Sequence, residues 1–179
     1  MDTLLKYFTE EELEQSKEWD LYFKSLSLVL RMFFFKKDKA GKPYVNHLLR
    51  VSDSMTTIDG KVAGLLHDVV EDIEDVTFED LIEFGIPKHI IEVLKLVTKE
   101  KVNKPLTQEE KLQKYNEEID RIIASQNLLA LELKIADMSD NYNEDRLKQL
   151  DEEKQKWFNE KYGENIKRLR KERMKYDRY

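Results

Sequence analysis

The stretch Ala63-Gly64-Leu65-Leu66-His67-Asp68-Val69-Val70-Glu71-Asp72 decides the reading of this chain. With Val62, its residues Leu65, Leu66, Val69 and Val70 recur at helical spacing. The spacing predicts an apolar helix over 59–72, opened by Asp59-Gly60. A His-Asp pair is set into it, and two more carboxylates follow. On a helix, His67 and Glu71 are i, i+4 neighbours, as are Asp68 and Asp72. Four polar groups then share one ridge beside a core-forming face, where a charge without a partner is costly. The bland reading is a satisfied core histidine with a solvated helix end.

Helix signals extend outward on both sides. Thr9-Glu10-Glu11-Glu12 reads as a capping box opening an amphipathic stretch to about Phe35. Lys36 to Lys42 is a polar loop containing Gly41, and Pro43 suits a first helical position, with its helix reaching about Met55. Thr77-Phe78-Glu79-Asp80 caps a short helix ending near Gly85, and Pro87 starts another to about Lys99. Thr107-Gln108-Glu109-Glu110 is a second capping box, with a helix to about Ser125. Asn127 precedes a very apolar helix, and the last helix runs from about Asp151 into the C-terminal tail. No repeat, low-complexity segment or strand-type alternation interrupts this. The expectation is one compact all-α domain over 1–179.

Composition agrees and excludes alternatives. The chain has 179 residues, 38% charged and 40% hydrophobic, with 8 Phe, 8 Tyr and 2 Trp, too aromatic for a disordered acidic chain. With 5 Gly and 3 Pro, a turn-rich β-sandwich is disfavoured. There is no cysteine, which removes disulfides, thiolate zinc sites and cysteine nucleophiles. The net charge of −6 argues against a long nucleic acid as partner. Met1 to Lys6 lacks the pattern of a signal peptide. The most apolar window, Leu26 to Phe35, is half the length of a membrane span and is broken by Ser27 and Arg31. A soluble, cytoplasmic protein is expected, with a homo-oligomer left open. The charge is uneven: Lys161 to Tyr179 has eight basic and three acidic residues, a net +5, which leaves −11 on 1–160. That tail reads first as a solvated helix end, since cations suit a helix C-terminus.

Two further segments favour chemistry over the bland reading. His47 lies on the Pro43 helix between Asn46 and Leu48-Leu49, and Asp137 ends the apolar run Leu128–Ala136. His47, His67, Asp68 and Asp137 together make a two-imidazole, two-carboxylate set on three helices. Such donors suit Mn²⁺, Fe²⁺ or Zn²⁺ rather than Ca²⁺. A divalent metal there lowers the pKa of water and polarises a phosphoryl group.

The segments Lys39-Ala40-Gly41-Lys42-Pro43-Tyr44-Val45-Asn46-His47, Ala63 to Asp72, Phe84-Gly85, Val97-Thr98 and Leu133-Lys134-Ile135-Ala136-Asp137, with Asn141 four residues on, resemble the hydrolase domain of the RelA/SpoT alarmone family. That domain is a helical bundle of the HD superfamily, and the resemblance covers roughly residues 20–165. It implies a stand-alone small alarmone hydrolase in which His47, His67, Asp68 and Asp137 hold Mn²⁺. It implies that Glu71 and Asp72 position or deprotonate a metal-activated water. That water attacks the 3′-diphosphate of (p)ppGpp, a small nucleotide substrate, and releases pyrophosphate and GDP or GTP. Asn141 matches a nucleoside contact, Tyr44 a family aromatic, and Lys36 and Lys37 a basic pair beside the base or phosphates. Lys101 aligns with a lysine facing the diphosphate, and Lys154 and Lys161 are weaker phosphate candidates.

Departures from the pattern are specific. Met138-Ser139-Asp140 replaces basic and apolar residues, which sets Asp140 beside an anionic substrate. Lys36 replaces an arginine and loses its bidentate geometry. Ile73 stands where the family often has threonine. His89 matches no ligand position and reads as surface, and Trp157-Phe158 reads as core packing. Two alternatives stay open: another HD-type nucleotidase or phosphodiesterase, and a non-catalytic module that senses a nucleotide or binds a partner.

Overall fold

Helix α1 (Asp20–Met32) begins with an aspartate in its first turn and ends at Phe33. The computed structural model describes residues 19–38, 41–99 and 105–178. The capping box at Thr9 and the candidate Lys101 lie outside the described residues. After α1 the chain turns back through an antiparallel bridge between Lys37 and Pro43. Gly41 takes a φ of 79°, which only glycine adopts freely. Asp38 Oδ1 accepts a hydrogen bond from the Lys42 amide at 2.9 Å. The loop delivers Tyr44 to the start of α2 (Val45–Asp53).

Helix α3 (Ile58–Leu66) is capped by Thr57, whose Oγ1 accepts from the Gly60 amide at 3.0 Å. The cap is therefore two residues before the expected Asp59. The helix also ends earlier than its apolar periodicity predicts. His67 keeps helical angles, but Asp68 moves to φ −101°, ψ 0°, and α4 (Val69–Asp72) starts afresh. His67 Nδ1 bonds the Gly64 carbonyl at 2.8 Å. A continuous helix would give that carbonyl to the Asp68 amide. The His-Asp pair thus sits in a turn between two helices rather than along one ridge.

The capping boxes at Thr77/Asp80 and Thr107/Glu110 both form, opening α5 (Phe78–Glu83) and α7 (Gln108–Ala124). Between them lies α6 (Lys88–Val97). Asn127 caps α8 (Leu128–Asn141) through the Ala130 amide. A short α9 (Glu144–Leu147) leads to α10 (Glu152–Arg173), capped by Asp151, and to a 3₁₀ turn over Tyr176–Arg178. Among the described residues there is no strand, so the all-α expectation holds.

α3 lies at the centre, packed on α1, α2, α6 and α8. Gly60 and every residue from Val62 to Leu66 are buried, which explains why this helix is apolar all round. α10 covers α7 and α8, burying Phe158, Tyr162, Ile166 and Leu169. Its basic residues pair across this seam: Arg168 with Asp120, and Arg173 with Glu132 at 3.1 Å. The positive tail therefore docks partly on the negative body. His89 is exposed and pairs with Asp59 at 2.8 Å, as a surface histidine should.

Gly64 sets the spacing of the two histidine-bearing elements. A Cβ there would lie 2.6 Å from Ser52 Cα and 2.8 Å from Ser52 N, on the backbone of α2. Backbone cannot yield as a flexible side chain can. Gly64→Ala is expected to destabilise the protein by about 1–3 kcal/mol, the usual cost of overpacking. For a chain of this size, thermal unfolding should register about 2–4 °C per kcal/mol. A wild-type melting temperature in this variant would refute the close approach.

Candidate metal centre

Three elements converge on one point. α2 supplies His47 from its buried face, the α3–α4 turn supplies His67 and Asp68, and α8 supplies Asp137 from its last two turns. The two imidazoles meet edge to face with ring centroids 5.2 Å apart. His47, His67 and Asp68 bring their ligand atoms within 4.8 Å of one another, so these three can hold a metal. His47 Nε2 lies 3.7 Å from Asp68 Oδ2 and 3.4 Å from Asp137 Oδ1. His67 Nε2 lies 3.2 Å from Asp68 Oδ2 and 3.8 Å from Asp137 Oδ1. Donors bound at about 2.1 Å to one ion stand roughly 3–4 Å apart, and all four distances fall in that range.

The tautomers agree with this. His67 Nδ1 faces the Gly64 carbonyl, an acceptor, so Nδ1 carries the proton and Nε2 offers a lone pair. That Nε2 is buried and makes no hydrogen bond. An orphaned buried nitrogen aimed at two carboxylates is what a ligand to a cation looks like without its ion. His47 Nδ1 faces Asp140 Oδ2 at 2.6 Å, which again leaves Nε2 for the centre. Burial disfavours charge on His47, but Asp137 and Asp140 outweigh it and hold its pKa up to about 9. Burial likewise opposes ionisation of Asp68, yet the His67 ring keeps that carboxyl below its usual range.

Each carboxylate is braced at the same oxygen that faces the imidazoles. Tyr44 Oη donates to Asp68 Oδ2 at 2.5 Å, and its ring stacks on Phe33 at 5.4 Å. Tyr44 is therefore both packing and a brace on a candidate ligand. Asn141 Nδ2 donates to Asp137 Oδ1 at 2.5 Å, so this predicted substrate contact touches a ligand too. Lys134 is buried, lies 3.6 Å from Asp137 and pairs with the buried Glu118 at 2.5 Å.

Glu71 and Asp72 separate. Glu71 lines the small cavity against His67, Asp68 and Asp137, and its carboxylate pairs with Lys99. Asp72 turns to Lys36, at 3.0 Å to the carboxylate and 2.9 Å to its carbonyl. Lys36 also lies 5.4 Å over the Tyr44 ring, while Lys37 is exposed. Asp140, set beside an anionic substrate by sequence position, faces His47 and Arg50 instead. Sequence reasoning missed Arg50 and Lys99. Arg50 lies three residues after His47, and Asp140 three after Asp137, so both sit one turn from a candidate ligand.

Lys99 also lines a second, larger cleft of about 820 Å³ between α7 and α10. Lys111, Lys114, Lys154 and Lys161 line it too, with Tyr115 and Trp157. Trp157 is thus half-buried on a cleft wall rather than in the core, whereas Phe158 is buried as expected. Burial and the charges of Lys99 and Lys134 push Lys161 down to about 8.

No protein-family model matches the chain. A chloroplastic protein of Arabidopsis thaliana, RSH1, named for GTP diphosphokinase activity, is 35% identical over 82 residues. That match covers 42% of this chain and 9% of the plant protein, so the chain spans a small part of its relative. A solved structure described as a metazoan ortholog of SpoT that hydrolyses ppGpp superposes with a TM-score of 0.63. The superposition covers 86% of this chain and 96% of that one at 23% identity. The chain therefore has the all-α fold of that SpoT ortholog, the fold its motifs resemble.

Proposed function

We propose that this chain is a divalent-metal-dependent phosphohydrolase that removes the 3′-diphosphate of (p)ppGpp as pyrophosphate, leaving GDP or GTP. The observation that carries the reading is the pair of imidazoles whose Nδ1 atoms are engaged and whose Nε2 atoms face two carboxylates. The shared fold with a protein described as hydrolysing ppGpp supports the choice of substrate.

Mn²⁺ suits this donor set, and when bound it supplies Lewis acidity and lowers the pKa of adjacent water. The rest falls to side chains. Glu71, on the cavity wall, takes the proton of the attacking water at its carboxylate, a role worth about 10²–10⁴ in rate. Lys99, shared by cavity and cleft, pairs with the Glu71 carboxylate and meets the phosphoryl oxygens. Lys36 fixes Asp72, and through the aromatic pair Phe33 and Tyr44 it backs Asp68.

The cleft accounts for the class of substrate. Its volume of about 820 Å³ suits a nucleotide rather than a duplex. Five lysines (Lys99, Lys111, Lys114, Lys154 and Lys161) and Arg121 outnumber the four carboxylates of the cleft (Glu117, Glu118, Asp151 and Glu153), a net positive lining for a polyanion on a chain whose net charge is −6. Trp157 offers a face for a base. Among the described residues no helix is long and apolar enough to cross a membrane, which is consistent with a cytoplasmic enzyme.

The runner-up, another HD-type nucleotidase or phosphodiesterase, draws on Lys36 where the resembled family has arginine. A non-catalytic module draws less support, because His47, His67 and Asp68 can share one ion, Asp137 stands beside both imidazoles, and Glu71 lines their cavity. One experiment separates the three. The full chain is incubated with Mn²⁺ and, separately, with ppGpp, GTP and a 2′,3′-cyclic nucleotide, and the products are resolved by anion exchange. Equimolar GDP and pyrophosphate from ppGpp are expected. Metal-loaded protein that leaves ppGpp intact would sink the proposal. Turnover of another nucleotide alone would favour the runner-up.

A further inference from the structure

We propose that Asp140, clamped by Arg50, is a positioning residue that fixes His47 as an Nε2 donor to the metal centre. This rests on reading His47, His67, Asp68 and Asp137 as a metal site.

An imidazole ligates through Nε2 only when its other nitrogen holds the proton, and the partner of that nitrogen decides the matter. His47 Nδ1 stands 2.6 Å from Asp140 Oδ2. An ionised carboxylate only accepts, so Nδ1 must donate. The two ring nitrogens point away from each other, which places Asp140 behind the ligand and outside the ligand set. The carboxylate is itself held at both oxygens. Arg50 Nη2 donates to Asp140 Oδ2 at 2.9 Å, and Arg50 Nε donates to Oδ1. This two-point fork is a geometry that lysine cannot reproduce.

The two histidines are therefore fixed by different means. His67 leans on a neutral backbone carbonyl, that of Gly64, while His47 leans on a charged side chain. A carboxylate behind an imidazole raises its basicity as well as orienting it. Arg50 offsets the charge that Asp140 brings, so the arrangement gains ligand strength without adding net repulsion to an anionic substrate. Arg50 is half-exposed while His47 is buried, so the clamp reaches from the surface to the ligand.

The test is Mn²⁺ affinity, measured on the full chain by titration calorimetry and by the EPR signal of free Mn²⁺. Metal-free melting temperatures are recorded alongside. Asp140→Ala is expected to weaken Mn²⁺ binding about 10–100-fold, the usual effect of losing such a partner. Asp140→Asn, which keeps the shape but not the charge, should fall between it and the wild type. Arg50→Gln, at a partly exposed position, should weaken binding by at least about threefold, and carries the test if Asp140→Ala does not fold. If Asp140 and Arg50 only strap α2 to α8, the variants lose metal-free melting temperature while Mn²⁺ affinity stays within about twofold. That result overturns the proposal. His67→Ala separates this failure from a deeper one, because His67 touches neither Asp140 nor Arg50. Loss of Mn²⁺ binding in His67→Ala with no effect at Asp140 sinks only the positioning role. Unchanged Mn²⁺ binding in His67→Ala sinks the metal site, and this proposal with it.

Discussion

Replacing Asp68 by alanine is expected to lower the rate of ppGpp hydrolysis by about 10³-fold or more. Charge stabilisation by a bound metal is worth several kcal/mol, and each 1.36 kcal/mol is a factor of ten. Asp68 is the one candidate carboxylate that lies 3.7 Å or less from both imidazole Nε2 atoms. Its loss also leaves the Tyr44 hydroxyl without its acceptor. The same variant should lose the stabilisation that metal gives. A wild-type protein at 100 times its dissociation constant for Mn²⁺ gains about 2.7 kcal/mol, seen as a rise in melting temperature. Asp68→Ala should show no such rise. Hydrolysis at the wild-type rate in this variant would place the chemistry elsewhere.

Glu71→Gln should reduce kcat by about 10²–10⁴ and leave Mn²⁺ affinity nearly unchanged. The side chain keeps its size but can no longer take a proton. Its partner is Lys99, not a candidate ligand, so the centre itself is untouched. The contrast with Asp68→Ala is the informative part: one variant loses metal and turnover together, the other turnover alone. Asp72→Asn serves as comparison. Asp72 pairs with Lys36 and does not line the cavity, so its loss should be the smaller of the two.

Much of the fold was legible because its signals are local. Thr77 with Asp80, and Thr107 with Glu110, close as capping boxes at the residues their spacing predicts. Asn127 and Asp151 cap the helices they precede. The break at His67-Asp68 was not legible, because the apolar period runs on through Val69 and Val70 while a side chain takes the Gly64 carbonyl. The candidate ligands themselves were found from residue type on apolar helices. Their supports were not. The Asp140 bonds to His47 and Arg50 span 93 and 90 residues, and no pattern within one helix reveals them. Lys99 carries no signal in the sequence, because only the fold shows it on the wall common to cavity and cleft. Trp157 and Phe158 are adjacent, yet one faces the cleft and the other the core. The turn of about 100° between consecutive residues of α10 decides that.

Hydrolysis of ppGpp in ¹⁸O-enriched water, with Mn²⁺ and the full chain, tests the central claim most directly. Attack at the phosphorus bound to the 3′-oxygen puts one ¹⁸O into pyrophosphate and none into GDP. Mass spectrometry of both products should give that distribution, and none of either product once the metal is chelated. Label in GDP, release of single phosphates, or turnover that survives chelation would contradict the account.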